Sequence, residues 1–260
     1  MPPRRIGVFK LSLAAIISLT ALAHANERAD ALRIASEGAR PPYNYFEGSE
    51  LTGFEIELGR ELCARMKRVC VFQAQDWDRM IPGLIANQYD AVMAALEITD
   101  ERREKIAFSK PYVRMPSAFL AAARDETTDT SPEGLKGKTI GVEEGGPHQG
   151  FLDEVYKTST VRAYASLEEA ILDLGEGRID IVFGARDAIG DFMTTRKEAS
   201  CCRIVADAPR DAAHFGEGIG IGLRKTDAAL KDAFDKAIDA VVGDGTFARI
   251  RAKYFDFEIY

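Results

Sequence analysis

Few side chains in this 260-residue chain have the type and spacing of catalytic or metal-binding groups. Beyond His24 its histidines are His148 and His214, and neither has a cysteine or carboxylate at ligand spacing. Each reads as a surface histidine or one satisfied locally, so no metal and no cofactor is expected. Gly-x-Ser-x-Gly elbows, Walker loops and a Gly-x-Gly-x-x-Gly after a strand are all missing, which argues against an enzyme. Gly145-Gly146 is either a weak phosphate cradle or a tight strand-to-helix turn. Cys63 and Cys70 lie seven apart, flanking the end of an amphipathic run, where a helix-end to strand-start staple fits an exported chain. Cys201 and Cys202 are adjacent. A bridge between neighbours closes a strained ring, so they are either two thiols or a labile bond, with no role assigned.

The elements that carry these residues alternate. Leu32 to Ala35 reads as a buried strand, followed by the turn-rich run Glu37 to Pro42, where consecutive prolines force extended backbone. Phe54, Ile56, Leu58, Leu62 and Met66 recur at helical spacing, then Val69 to Phe72 returns to strand. Asp76-Trp77-Asp78 opens a further helix that ends before a strand at Asp90 to Met93. A second series begins at Thr139 to Val142, with a helix from Gln149 to Tyr156. Strand Thr160 to Ala163, helix Leu167 to Leu174 and strand Ile179 to Phe183 follow. Gly218 to Leu223 reads as a late strand, and helices Ala228 to Val242 and Thr246 to Tyr254 finish the chain. Such β-α-β alternation implies an α/β fold built on mostly parallel sheets with helices on both faces. Ligands in such folds bind beyond the carboxyl ends of strands, which directs attention to Glu37–Pro42 and Ala94–Arg102.

Composition bounds the class. Arg4, Arg5 and Lys10, an apolar stretch from Leu11 to Leu22, and Ala23-His24-Ala25 form a secretory leader, residues 1–25. The apolar stretch is shorter than the ~20 residues a membrane span needs. Net charge is −7, and the leader holds no acidic residue, so the mature chain is more acidic still. That balance disfavours nucleic acid and anionic membranes, which demand clustered Lys and Arg. A mature chain of roughly 235 residues exceeds one core and points to two lobes.

The run Glu37-Gly38-Ala39-Arg40-Pro41-Pro42-Tyr43-Asn44-Tyr45, followed by Leu51-Thr52-Gly53-Phe54-Glu55-Ile56-Glu57-Leu58, resembles the opening of polar-amino-acid binding proteins of ABC importers. So do Trp77 to Leu84, Tyr89 to Arg102 and the ending Asp244 to Phe257. The likeness spans nearly the whole mature chain and is nearest the histidine and lysine/arginine/ornithine type. It implies a periplasmic clamshell of two α/β lobes, 31–113 plus 219–260 and 117–212, that close about a two-strand hinge over the ligand. It also implies a monomer serving an inner-membrane permease, and a disulfide between Cys63 and Cys70.

Carried over position by position, Arg102 matches the arginine that clamps the ligand's α-carboxylate, a task suited to a two-pronged guanidinium. Glu37 matches an acid facing the far end of cationic ligands, or else caps its own turn. Trp77 matches a pocket-wall position, or else is core. Arg40 replaces an aromatic that stacks on the ligand; it can stack likewise or grip a second acidic group. Gly146 and His148 flank Pro147 in the strand-to-helix turn that holds the carboxylate.

Departures from the pattern bear on the ligand. Ala94 and Ala95 replace hydroxyl residues, Glu97 replaces a serine, Ala185 replaces the acid that pairs with the α-ammonium, and Pro147 replaces a threonine and has no N–H to give. The Ala-Ala pair resembles opine-binding relatives. Glu97, Glu143 and Glu144 either restore negative charge from new directions or face water. The rival class is a cyclohexadienyl-dehydratase-like enzyme, but the segment matching its catalytic glutamate reads Gly184-Ala185-Arg186-Asp187-Ala188. A stand-alone sensor that presents its ligand to a receptor is the third.

Overall fold

The computed structural model describes residues 31–260, and the expected leader lies outside the described residues. The chain divides into two compact units. Within the described residues the first comprises 31–96, 105–110 and 221–254, and the second 97–104, 111–220 and 255–260.

In the first unit a five-stranded sheet runs in the order Cys70–Ala74, Leu32–Ser36, Ala91–Val92, Gly222–Leu223, Ala107–Phe108. The first three strands are parallel, as alternation requires, and Gly222–Leu223 is antiparallel to both neighbours. Ile34 and Ala35 point to opposite faces yet both are fully buried, so the central strand is covered on two sides. Helix Phe54–Arg65 buries Phe54, Ile56, Leu58 and Leu62, and Phe54 meets Phe247 edge-on at 5.7 Å. Cys63 and Cys70 are bridged, tying the end of this helix to the outer strand. A small antiparallel sheet joins Ala39–Arg40, within the run read from sequence as turn, to Asn44–Glu47 and Glu50–Thr52, which had no reading.

The second unit repeats the scheme. Its order is Thr160–Tyr164, Thr139–Glu143, Ile181–Ala185, Ser117–Ala122, Cys202–Asp207, with the first three parallel and Ser117–Ala122 antiparallel to both neighbours. Successive residues of Ser117–Ala122 feed two cores, Ala118 and Leu120 one, Phe119 and Ala121 the other. Helix Pro147–Val155 starts two residues before the expected Gln149, because proline suits a first helical position that has no N–H to satisfy. Cys201 and Cys202 are joined in a bridge. The strand expected over Gly218–Leu223 shrinks to Gly222–Leu223. Positive φ at Gly216 and Gly218 turns the chain, and Ile219 makes only isolated bridges to Glu97 and Val113. Among the described residues no helix is long and apolar enough to cross a membrane.

Candidate functional site

In the first unit the chain leaves Leu32–Ser36 at its carboxyl end and turns through Glu37 and Gly38. The Glu37 carboxylate accepts from Arg40 Nε at 3.2 Å, and the Arg40 guanidinium lies 4.8 Å from the Trp77 ring centroid. Trp77 sits half-buried in a 3-10 turn, Trp77–Arg79, so it is not core. Arg40 therefore stacks on the protein's own tryptophan and grips its own acid. Ala94 and Ala95 are buried just past Ala91–Val92, and Ala95 takes a left-handed conformation, φ 50°. Its N–H donates to the fully buried Glu55 at 2.7 Å. The other Glu55 oxygen accepts from Asn44 Nδ2 at 2.7 Å, and Asn44 Oδ1 accepts from the Gly38 N–H at 2.7 Å.

In the second unit Thr99 Oγ1 accepts the Arg102 N–H at 3.3 Å at the start of helix Asp100–Lys105. The Arg102 guanidinium reaches back to donate to the Glu97 carbonyl at 2.8 Å, while the Glu97 side chain is exposed. Glu143 is the exposed last residue of its strand. Gly146, Pro147 and His148 form the cap and first turn of helix Pro147–Val155, and the Gly145 N–H donates to Gln149 Oε1 at 2.8 Å. Gly145-Gly146 is thus a tight strand-to-helix turn. His148 Nε2 lies 3.0 Å from Ser117 Oγ, with its ring 5.4 Å from Phe183 and 5.2 Å from Phe215. Burial pushes the imidazole pKa below its ordinary value, and the Asp187 charge only partly opposes this. Ala185 precedes helix Arg186–Thr195, which sequence periodicity did not reveal.

Glu37, Arg40 and Trp77 are brought together in one unit, as are Glu97 and Arg102 in the other. Glu97 and Pro147 also share the wall of a cavity of about 680 Å³, formed entirely by the second unit, with Ser117, Asp207, His214 and Phe215. One sequence expectation is corrected. His214 does have carboxylate neighbours: Glu154 lies 3.3 Å away and Asp211 3.1 Å away. Asp211 caps the short helix Ala212–Phe215 and so faces the ring three residues on, whereas Glu154 arrives through folding. Even so, among the described residues no group of three or more His, Cys, Asp or Glu is arranged to hold a metal ion. Ser117, Asn44 and Glu55 were not singled out from sequence. Glu55 left no distinguishing signal there, because Glu57 is a second acid in the same first helical turn.

Residues 32–257 match the family described as bacterial extracellular solute-binding proteins, family 3, and the chain belongs to it. The lysine/arginine/ornithine-binding periplasmic protein of Escherichia coli K12 is 33% identical over 257 residues, covering 98% of both chains. The histidine-binding periplasmic protein of Salmonella typhimurium LT2 is 34% identical over 229 residues, 86% of this chain and 88% of the other. Among solved structures, a His/Glu/Gln/Arg/opine family-binding protein from Silicibacter pomeroyi in complex with lysine is 33% identical. Its TM-score is 0.53, with 88% of this chain and all of that one covered. The L-cystine solute receptor of Neisseria gonorrhoeae, 21% identical with a TM-score of 0.72 over 90% and 97% of the two chains, shares the two-lobed binding-protein fold.

Proposed function

We propose that this chain captures a small carboxylate-bearing, amino-acid-like solute in the periplasm and delivers it to an ABC importer, without chemical conversion. The observation that carries this reading is the family match over residues 32–257; the resemblance that aligns Arg102 with the carboxylate clamp supports it. The ligand's far end is cationic, as for the lysine-, arginine- and ornithine-binding relative, and faces Glu37. Arg40 now answers that acid, but half of its side chain is exposed. An exposed pair of this kind contributes only about 0–1 kcal/mol. Removing one partner of a desolvated ligand–protein charge pair costs about 2–5 kcal/mol. A ligand cation therefore displaces Arg40.

The Arg40 guanidinium over Trp77 favours a second reading, in which the far end is acidic and Arg40 holds it. Mass spectrometry of the solute released from natively purified protein tests both. A basic amino acid or a basic opine supports the first, a dicarboxylate the second, and a solute without a carboxylate refutes both.

A further inference from the structure

The Gly53-Phe54-Glu55 start of helix Phe54–Arg65 holds a fully buried carboxylate. Its surroundings are tightly specified. The Phe54 and Glu55 N–H groups donate to Pro42 and Tyr43 carbonyls at 2.9 and 2.8 Å, fixing the helix start against the 42–44 segment. A Cβ at Gly53 would lie 2.5 Å from the Tyr43 oxygen, so the approach is closed to any other residue. From this position one carboxylate oxygen takes the Ala95 N–H and the other takes Asn44 Nδ2, and Asn44 in turn takes the Gly38 N–H. The chain of donors begins at the turn bearing Glu37 and ends at the Ala94-Ala95 segment. Those two segments are far apart in sequence, follow neighbouring parallel strands, and are joined beyond the strand ends by this acid.

We infer that Glu55 is a positioning residue that holds the Glu37–Arg40 turn and the Ala94-Ala95 segment in one register, acting through Asn44. Only its consequence for binding rests on the proposed ligand role of this face. The polarity of the network makes a specific test. In Glu55→Gln the new amide nitrogen must face either the Ala95 N–H or the Asn44 amide, donor against donor. Turning Asn44 over merely moves the conflict to the Gly38 N–H. In the double variant Asn44→Asp/Glu55→Gln every donor again meets an acceptor, because the introduced amide donates to the introduced carboxylate, which still accepts from Gly38.

Amide hydrogen exchange by NMR on the ligand-free protein reads the network, and calorimetry with L-arginine reads its effect on binding. Glu55→Gln is expected to speed exchange at Gly38 or Ala95 at least about tenfold, equivalent to ~1.4 kcal/mol, and to weaken L-arginine by a similar factor. The Leu32–Ser36 amides stay unchanged, and the double variant restores both readouts. Should Glu55→Gln fail to fold, Asn44→Ala cuts one arm alone: Gly38 accelerates and Ala95 does not. Unchanged exchange at both amides in these variants overturns the inference. So does uniform acceleration through the first unit that the double variant leaves uncorrected, since that is plain loss of packing. If wild type does not bind L-arginine, the cationic-ligand reading falls, and the exchange data still decide the role of Glu55.

Discussion

Arg40→Ala separates the two ligand readings by sign. In the free protein Arg40 makes an ion pair with Glu37 at 3.2 Å and lies over Trp77 at 4.8 Å, with half of its side chain exposed. At such exposure the pair contributes about 0–1 kcal/mol and the ring contact about 0.5–1 kcal/mol. The variant therefore loses at most about 2 kcal/mol of stability. It also leaves Glu37 without its internal cation. A ligand with a cationic far end no longer has to displace Arg40, so L-arginine should bind up to about fivefold tighter, the equivalent of ~1 kcal/mol. An acidic far end loses its partner instead, and L-glutamate should weaken by at least about 30-fold, or ~2 kcal/mol. Calorimetry with both ligands gives the affinities. Trp77, the only tryptophan in the chain, gives an independent fluorescence signal from this corner. If neither affinity moves and neither ligand perturbs Trp77 in wild type, the Glu37–Arg40–Trp77 corner is not part of the site.

Arg102→Ala should weaken the natural solute by about 30- to 5,000-fold while costing the free protein only about 1 kcal/mol for the lost bond to the Glu97 carbonyl; wild-type affinity moves the carboxylate anchor to Arg40 or Arg186. Replacing Cys63 and Cys70 together by serine should lower unfolding free energy by about 2.5 kcal/mol by loop entropy, measured by denaturant titration; unchanged stability refutes the staple. His148 has a folded-state pKa below its ordinary 6.5, so as pH falls through that value the unfolded chain takes the proton first. Its contribution is complete above about pH 6.5 and declines below, and His148→Gln should flatten this part of the stability profile; an identical slope in the variant assigns it to other groups.

Legibility followed the range of the physics involved. The parallel strands and their helices were legible because burial on one or two faces leaves a period in the sequence, as at Phe54, Ile56, Leu58 and Leu62. Helix Arg186–Thr195 escaped because only Ile189 and Phe192 are buried, too few to set a period. Of the antiparallel additions, Gly222–Leu223 lay within the strand read over Gly218–Leu223, whereas Ala107–Phe108 escaped because it is two residues long and chosen by its neighbours. At the candidate site, family spacing put forward Glu37, Arg40, Trp77 and Arg102 as candidates. It could not show that Arg40 turns back on Glu37, since rotamer direction is a three-dimensional choice. Nor could it supply Asn44 and Glu55, whose partnership joins segments without any common periodicity.

The placement of Gly222–Leu223 also has a consequence for the order in which the chain acquires structure. All five strands of the second unit's sheet lie within residues 117–207, whereas the first unit's sheet waits for residue 222 to pair with residues 92 and 108. Until then the Ala91–Val92 edge has no partner on that side, and closing so long a loop carries an entropic cost that the second unit's shorter loops avoid. During synthesis, then, the interior of the chain should mature before its beginning. Pulse-labelled refolding should find Ile140 and Val182 amides protected ahead of those of Val92 and Phe108, and simultaneous protection would refute this order. The part of the chain synthesised first is then the part held open longest.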